Sequence, residues 1–359
     1  MRISFFGSSL VSAYWNGACT YYRGIVRALH GLGHEVTFYE PDALERQRHR
    51  DIPDPDWARV VVYDVPDAQA VRRVVRDAAG EADMIVKASG VGVYDDVLER
   101  AVLEARRGDA LAIFWDVDAP ATLTRLEADP SDPLRALVGE YDLILTYGGG
   151  DRVIARYAGL GARRCVPIYN ALDPLTHHPV PGEDRFRGDL GALVNRLPDR
   201  EARVDDFFFS TIEALPERTF VLGGAGWDDR VGASNLRYVG HVPPGAHNAF
   251  NCSPLAVLNV TRDSMVQNGF SPATRVFEAA GAGACLISDE WDGIDHFLEP
   301  GLEVIVCASG ADVIEALSQL DAPTAAEIGS RARERILAEH TYAHRAREVE
   351  EVLGAGVTR

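Results

Sequence analysis

Short apolar runs rich in β-branched and aromatic residues alternate along the chain with longer segments whose apolar positions recur every three or four residues. The runs 2–6, 35–39, 84–87, 111–115 and 143–147 have the length and composition of strands. Between the first two, 21–32 places Ile25, Leu29 and Leu32 on one helical face, and Gly33 supplies a stop. A second series follows at 191–195, 219–222, 255–260, 285–288 and 303–307. Strands alternating with helices predict parallel sheets covered on both faces. Pro174, Pro179, Pro181, Gly182 and Gly188 accumulate between the two series and predict a boundary. The expected class is α/β, with two Rossmann-like, doubly wound parallel-sheet domains facing across a cleft. They span 1–170 and 171–340, and a last helix in 341–359 is free to pack back onto the first.

A length of 359 residues fits about two domains, and 47% hydrophobic with 25% charged residues is ordinary globular composition. No apolar stretch nears the roughly 20 residues of a transmembrane helix. The start, Met1 to Gly7, reads as a strand and turn rather than a signal peptide. Five scattered cysteines without C-x-x-C spacing predict reduced thiols, hence a cytoplasmic protein. They offer no zinc spacing, and adjacent His177 and His178 cannot face one site on a regular element, so no structural metal is expected.

The net charge is −18, of which the first 172 residues carry −5 and the rest −13. Extended nucleic-acid binding, driven by phosphate neutralisation, is not expected. The less acidic first half is the better candidate for an anionic acceptor or a peripheral membrane contact.

Ligands of open α/β sheets bind beyond the carboxyl ends of the strands. After 191–195, Arg196 and Arg200 could present two guanidiniums to a diphosphate, the alternative being surface pairing with Asp199 and Glu201. After 255–260, the stretch Asn268, Gly269, Phe270, Ser271 and Pro272 predicts a helix start, with Ser271 as N-cap and free backbone N–H groups for phosphate. Arg275 and Glu278 stand one turn apart and could pair with each other. Gly224 belongs to a Gly-rich turn that lacks the third glycine of G-x-G-x-x-G, which disfavours a nicotinamide enzyme. In the first half, Asp116 and Asp118 end a strand on one side, as general base or acceptor clamp, or as helix caps. Tyr14, Trp15 and Asn16 are candidates for an acceptor surface, or for core.

Together these loops resemble the GT-B glycosyltransferases of family 4, especially the CgeB-like, spore-maturation-protein branch. Asn170-Ala171-Leu172-Asp173-Pro174 resembles the family's interdomain N-G-V-D segment, and Asn195-Arg196-Leu197 with Arg200 its G-R-L…K phosphate site. The segment 220–226 and the run 236–242, with Gly240 and His241, resemble its nucleotide-contacting strands. Arg275 to Gly283 resembles the L-E-A-x-A-x-G helix, whose Glu, here Glu278, is implied to bind the donor ribose. The first Glu of the family's E-x7-E motif would fall at 270, where this chain has Phe270, with Asn268 nearby.

The resemblance implies glycosyl transfer from a nucleotide diphosphate sugar, the donor substrate, to an unknown acceptor, without cofactor or metal. Arg196, Arg200 and the helix mouth would stabilise the departing diphosphate. A sugar-nucleotide epimerase of the same fold and a non-catalytic sugar-nucleotide-binding protein are the alternatives.

Overall fold

Most strands are rich in apolar residues because helices cover both faces of each sheet. In the computed structural model, which describes residues 1–14 and 16–355, the first sheet holds seven of them. They are β1 (Arg2–Phe6), β2 (Glu35–Pro41), β3 (Arg59–Tyr63), β4 (Met84–Ala88), β5 (Leu111–Asp116), β6 (Leu143–Thr146) and β7 (Cys165–Pro167), in the order β3-β2-β1-β4-β5-β6-β7. All pairings are parallel. Phe5 of β1 sits opposite Phe38 of β2 and their rings stack at 5.2 Å. Lys87, the only lysine, is fully buried in β4, donating to Ala88 O at 2.7 Å and Asp95 Oδ1 at 2.6 Å.

The second sheet comprises β8 (Leu190–Leu193), β9 (Phe220–Gly223), β10 (Leu236–Gly240), β11 (Ala256–Asn259), β12 (Leu286–Asp289) and β13 (Ile305–Cys307). It is also parallel, in the order β10-β9-β8-β11-β12-β13. The chain divides into two compact units: Met1–Asn170 together with the segment from Tyr342, and Ala171–Thr341.

The helix Tyr342–Gly354 joins the first unit by packing on the helix Cys19–Gly31. The contact requires Gly24, where an added Cβ would meet the Tyr342 ring at 2.1 Å. Overpacking of that kind costs about 1 to 3 kcal/mol.

Each unit reverses its strand order once, between β1 and β4 and between β8 and β11. Such switch points leave a crevice at the carboxyl ends of the two strands where ligands bind. Among the described residues, no helix is long and apolar enough to cross a membrane. All five cysteines are free thiols.

Candidate functional site

In the second unit, the loops leaving β8 and β11 flank the switch point. The β8 loop is laced to the turn after β9: Trp227 Nε1 donates to Val194 O at 2.8 Å, Arg196 N to Ala225 O at 3.0 Å, and Ala225 N to Asn195 Oδ1 at 2.9 Å. Gly224 permits this approach. It adopts φ +120°, and a Cβ there would meet Val194 O at 2.1 Å. Its N–H donates to Gly240 O at 2.8 Å, which brings in the end of β10, and His241 beyond it is exposed.

Asp199 then ties the β8 loop to the β11 loop, accepting from Arg262 Nε at 2.8 Å and Ser264 Oγ at 3.2 Å. This arrangement isolates Arg200. Its Nη2 donates to Asn195 O at 2.8 Å, but its Nε is buried without a hydrogen-bond partner. Burial lowers its pKa to about 10, and the neighbouring cations Arg262 and Arg275 push the same way, against Asp199. A desolvated guanidinium beside two more cations is a site that an anion completes.

Arg196 differs. Its guanidinium pairs with Glu201 and, at 2.7 Å, with Asp229, and lies over the Trp227 ring. Those carboxylates raise its pKa, so it is already neutralised by its own unit. Arg196 here makes the surface pairing that stood as the alternative to its diphosphate role, with Asp229 joining Glu201.

The β11 loop also departs from expectation. A short helix, Asp263–Asn268, opens it, and Asn268 Nδ2 turns back to Ser264 O at 2.6 Å. Gly269 (φ +68°) and Phe270 (φ +44°) follow, with Phe270 N donating to Asp292 O at 2.6 Å. Ser271 is buried and donates to Gly269 O at 2.9 Å. The next helix is Thr274–Gly281 with Ala273 at its N-cap position, so Ser271 is not the cap and Pro272 is not its first residue. The hydroxyl satisfies the reversed backbone before it instead.

On that helix, Arg275 Nη1 lies 3.2 Å from both Asn251 Oδ1 and Glu278 Oε2, and its Nε is buried without a hydrogen-bond partner. Glu278 is 6% exposed, and its Oε2 has no hydrogen-bond partner despite the ion pair. Burial raises its pKa, but the surrounding positive charge, Arg275 first, outweighs it and holds the carboxyl down to about 2. Two histidines complete this corner. His177 Nε2 is 3.8 Å from Glu278 Oε1, and burial lowers the pKa of His247 to about 4. At neutral pH His247 is therefore uncharged, and Arg275 rather than His247 keeps Glu278 ionised.

In the first unit, Asp116 ends β5 but is fully buried. Its Oδ1 accepts from Ser89 Oγ at 2.7 Å, Thr122 Oγ1 at 2.9 Å and Asp118 N at 3.1 Å, and its Oδ2 from Tyr157 OH at 2.5 Å. A carboxylate filled by four protein donors has the surroundings of a structural knot rather than those of a general base or an acceptor clamp. Asp118 holds the N-cap position of the helix Ala119–Ala128 without a side-chain capping bond. Asn16 is also internal, donating to Ser9 O and Ser12 O and accepting from Ser8 Oγ, which matches the core alternative for this residue. Tyr14 is 37% exposed and stacks on His49 at 4.0 Å. Trp15 lies outside the described residues.

The fold thus gathers Arg200, Arg275 and Glu278 from the predicted set and adds Arg262, His177 and His247. Only Arg262 had a signal in the sequence, its place just beyond a strand end.

Residues 200–351 match the family model described as glycosyl transferase-like. No curated protein matches the chain. Among solved structures, HepE of Anabaena in complex with UDP and glucose superposes with a TM-score of 0.68 at 16% identity, over 99% of this chain and all of that one. Sucrose-phosphate synthase of Thermosynechococcus elongatus gives 0.67 at 12% identity over 99% and 98%. AviGT4, a glycosyltransferase of avilamycin A biosynthesis, gives 0.63 at 15% over 99% and 98%. These full-length matches, together with two parallel sheets of reversed strand order, give the chain the GT-B fold of the glycosyltransferases.

Proposed function

We propose that this protein is a glycosyltransferase that moves a sugar from a nucleoside diphosphate sugar to an acceptor hydroxyl. The observation that carries the reading is Arg200, a half-buried side chain whose buried Nε has no hydrogen-bond partner, flanked by Arg262 and Arg275 beside the β8/β11 switch point. In transfer, the bond from the sugar's anomeric carbon to the diphosphate breaks with its electron pair going to phosphate. The acceptor oxygen bonds to that carbon and gives up its proton. Charge therefore develops on the diphosphate, and guanidiniums already desolvated there stabilise it without reorganisation. This makes the chemistry metal-independent.

HepE was solved with UDP and glucose, and a UDP-hexose is the donor we assign to this chain. The finer placement in the CgeB-like branch of family 4 rests on the segments 170–174 and 275–283, and a cytoplasmic location on the five free thiols. Glu278, ionised and with an unpartnered oxygen, is suited to accept from the ribose hydroxyls.

Calorimetry with UDP, GDP, ADP and dTDP tests the reading. One of them binds, and Arg200→Ala weakens it by about 1.5 to 3 kcal/mol, the worth of a charged hydrogen bond. Binding of none, or equal binding by the variant, sinks it. Donor conversion that needs no acceptor would favour the epimerase alternative.

A further inference from the structure

His177, His247 and Glu278 come from three separate segments: the proline-rich stretch after the first unit, the helix His247–Cys252, and the helix Thr274–Gly281. One ligand atom from each lies within 4.8 Å of the other two. Both imidazoles are steered by their remaining nitrogens. His177 Nδ1 is 3.0 Å from Thr176 Oγ1, which leaves Nε2 facing Glu278 Oε1. His247 Nε2 is 3.2 Å from Val242 O, so its proton sits there and Nδ1 carries the lone pair. Metal-binding histidines are held in this way by a carbonyl or hydroxyl behind them. The carboxylate among the three is buried.

We infer that His177, His247 and Glu278 form a binding site for a borderline divalent cation of the Zn2+ class. Two tetrahedral ligands of zinc stand about 3.4 Å apart, given bonds of about 2.0 to 2.2 Å. The 3.8 Å between His177 and Glu278 is close to that, and side-chain rotation of about 1 Å closes the rest. Two imidazoles and one carboxylate favour zinc, cobalt or nickel over Mg2+ and Ca2+, which require mostly oxygen ligands. Arg275, 3.2 Å from Glu278 Oε2, disfavours hard dications further, because they bind by charge alone. The three ligands leave the fourth position open. The cation also shares Glu278 with the donor ribose, so on the reading of the previous section the two compete, and Zn2+ inhibits donor binding.

The test uses the full chain without a histidine tag, stripped by chelator, and titrated with Zn2+ by calorimetry and with Co2+ by its visible spectrum. One equivalent is expected to bind. His177→Ala and His247→Gln, each checked for unchanged melting, should weaken it more than tenfold, with Mg2+ producing no heat. Zn2+ binding that is absent from the unsubstituted protein, or as tight in both variants as in it, overturns the site. UDP titrated into the same stripped protein separates the two readings. UDP binding without Zn2+ binding removes the cation site alone, whereas Zn2+ binding without UDP binding keeps the site and removes the donor assignment.

Discussion

Arg196 Nη1 donates to Asp229 Oδ1 at 2.7 Å, and the same guanidinium holds Glu201, so a residue placed for phosphate binding spends its charge on two carboxylates. Arg200, four residues on, has no such partner at its Nε. The pair makes a sharp contrast. Arg196→Ala should change nucleoside diphosphate affinity by less than about threefold, since exposed ion pairs contribute little. Arg200→Ala should lose at least tenfold while raising the melting temperature of the ligand-free protein, because it removes a cation that burial disfavours. A larger loss at Arg196 than at Arg200 would return the diphosphate to Arg196.

Asp116 should be a stability residue. Asp116→Ala leaves four buried donors, from Ser89, Thr122, Tyr157 and Asp118, without their acceptor. A cost of at least about 3 kcal/mol follows. Asp116→Asn keeps the shape and should melt earlier yet turn over normally per folded molecule. A well-folded Asp116→Asn with turnover reduced a hundredfold would restore the catalytic reading.

How much of this was legible in the sequence depends on how far apart the cooperating residues are. Runs such as 2–6 and 111–115 announce strands because burial on both faces makes them mostly apolar, and the structure places β1 and β5 there. β3 and β7 escaped notice as edge strands, only partly buried for most of their length, and β7 is three residues ending in Pro167. The Ser271-Pro272 cap failed because Phe270 reverses the backbone just before it, a conformation that no local preference of phenylalanine predicts. The histidine cluster left no trace, since its members are 70 and 31 residues apart. The pairs that do have helical metal spacing, His30 with His34 and His340 with His344, supply none of its ligands.

The cluster also fixes a pH dependence. His247 faces Glu278, Arg275 and His177, and its folded pKa of about 4 lies below the usual 6.5. Between those values the unfolded chain binds a proton that the folded protein does not, so stability falls as pH drops from about 6.5 to 4, by up to about 3 kcal/mol. Glu278 acts in the same direction in a lower window. Its contribution is complete above the ordinary 4.5 and is lost as pH falls towards about 2. In urea midpoints measured against pH, His247→Gln should flatten the upper window and leave the lower one. An unchanged slope between pH 6.5 and 4 would show that other groups set it.

The ribose role of Glu278 makes the most discriminating prediction. Glu278 Oε2 is buried, lies 3.2 Å from Arg275 Nη1, and has no hydrogen-bond donor aligned on it. An ionised carboxylate accepts at both oxygens, so it can take both ribose hydroxyls, whereas the amide of Gln accepts at only one atom. Glu278→Gln should therefore weaken UDP by about tenfold or more, the scale of a hydrogen bond to a charged group. It should weaken 2′-deoxy-UDP less, because that ligand has already lost one of the two donors. The competing account is a carboxylate that only orients Arg275. Loss of the ion pair would then misplace a guanidinium beside the diphosphate, which UDP and 2′-deoxy-UDP share, and both would weaken equally. Titrating the two nucleotides into metal-free wild type and Glu278→Gln separates the accounts. Equal losses, in a variant that melts as the wild type does, would assign Glu278 to the arginine and leave the ribose without its carboxylate.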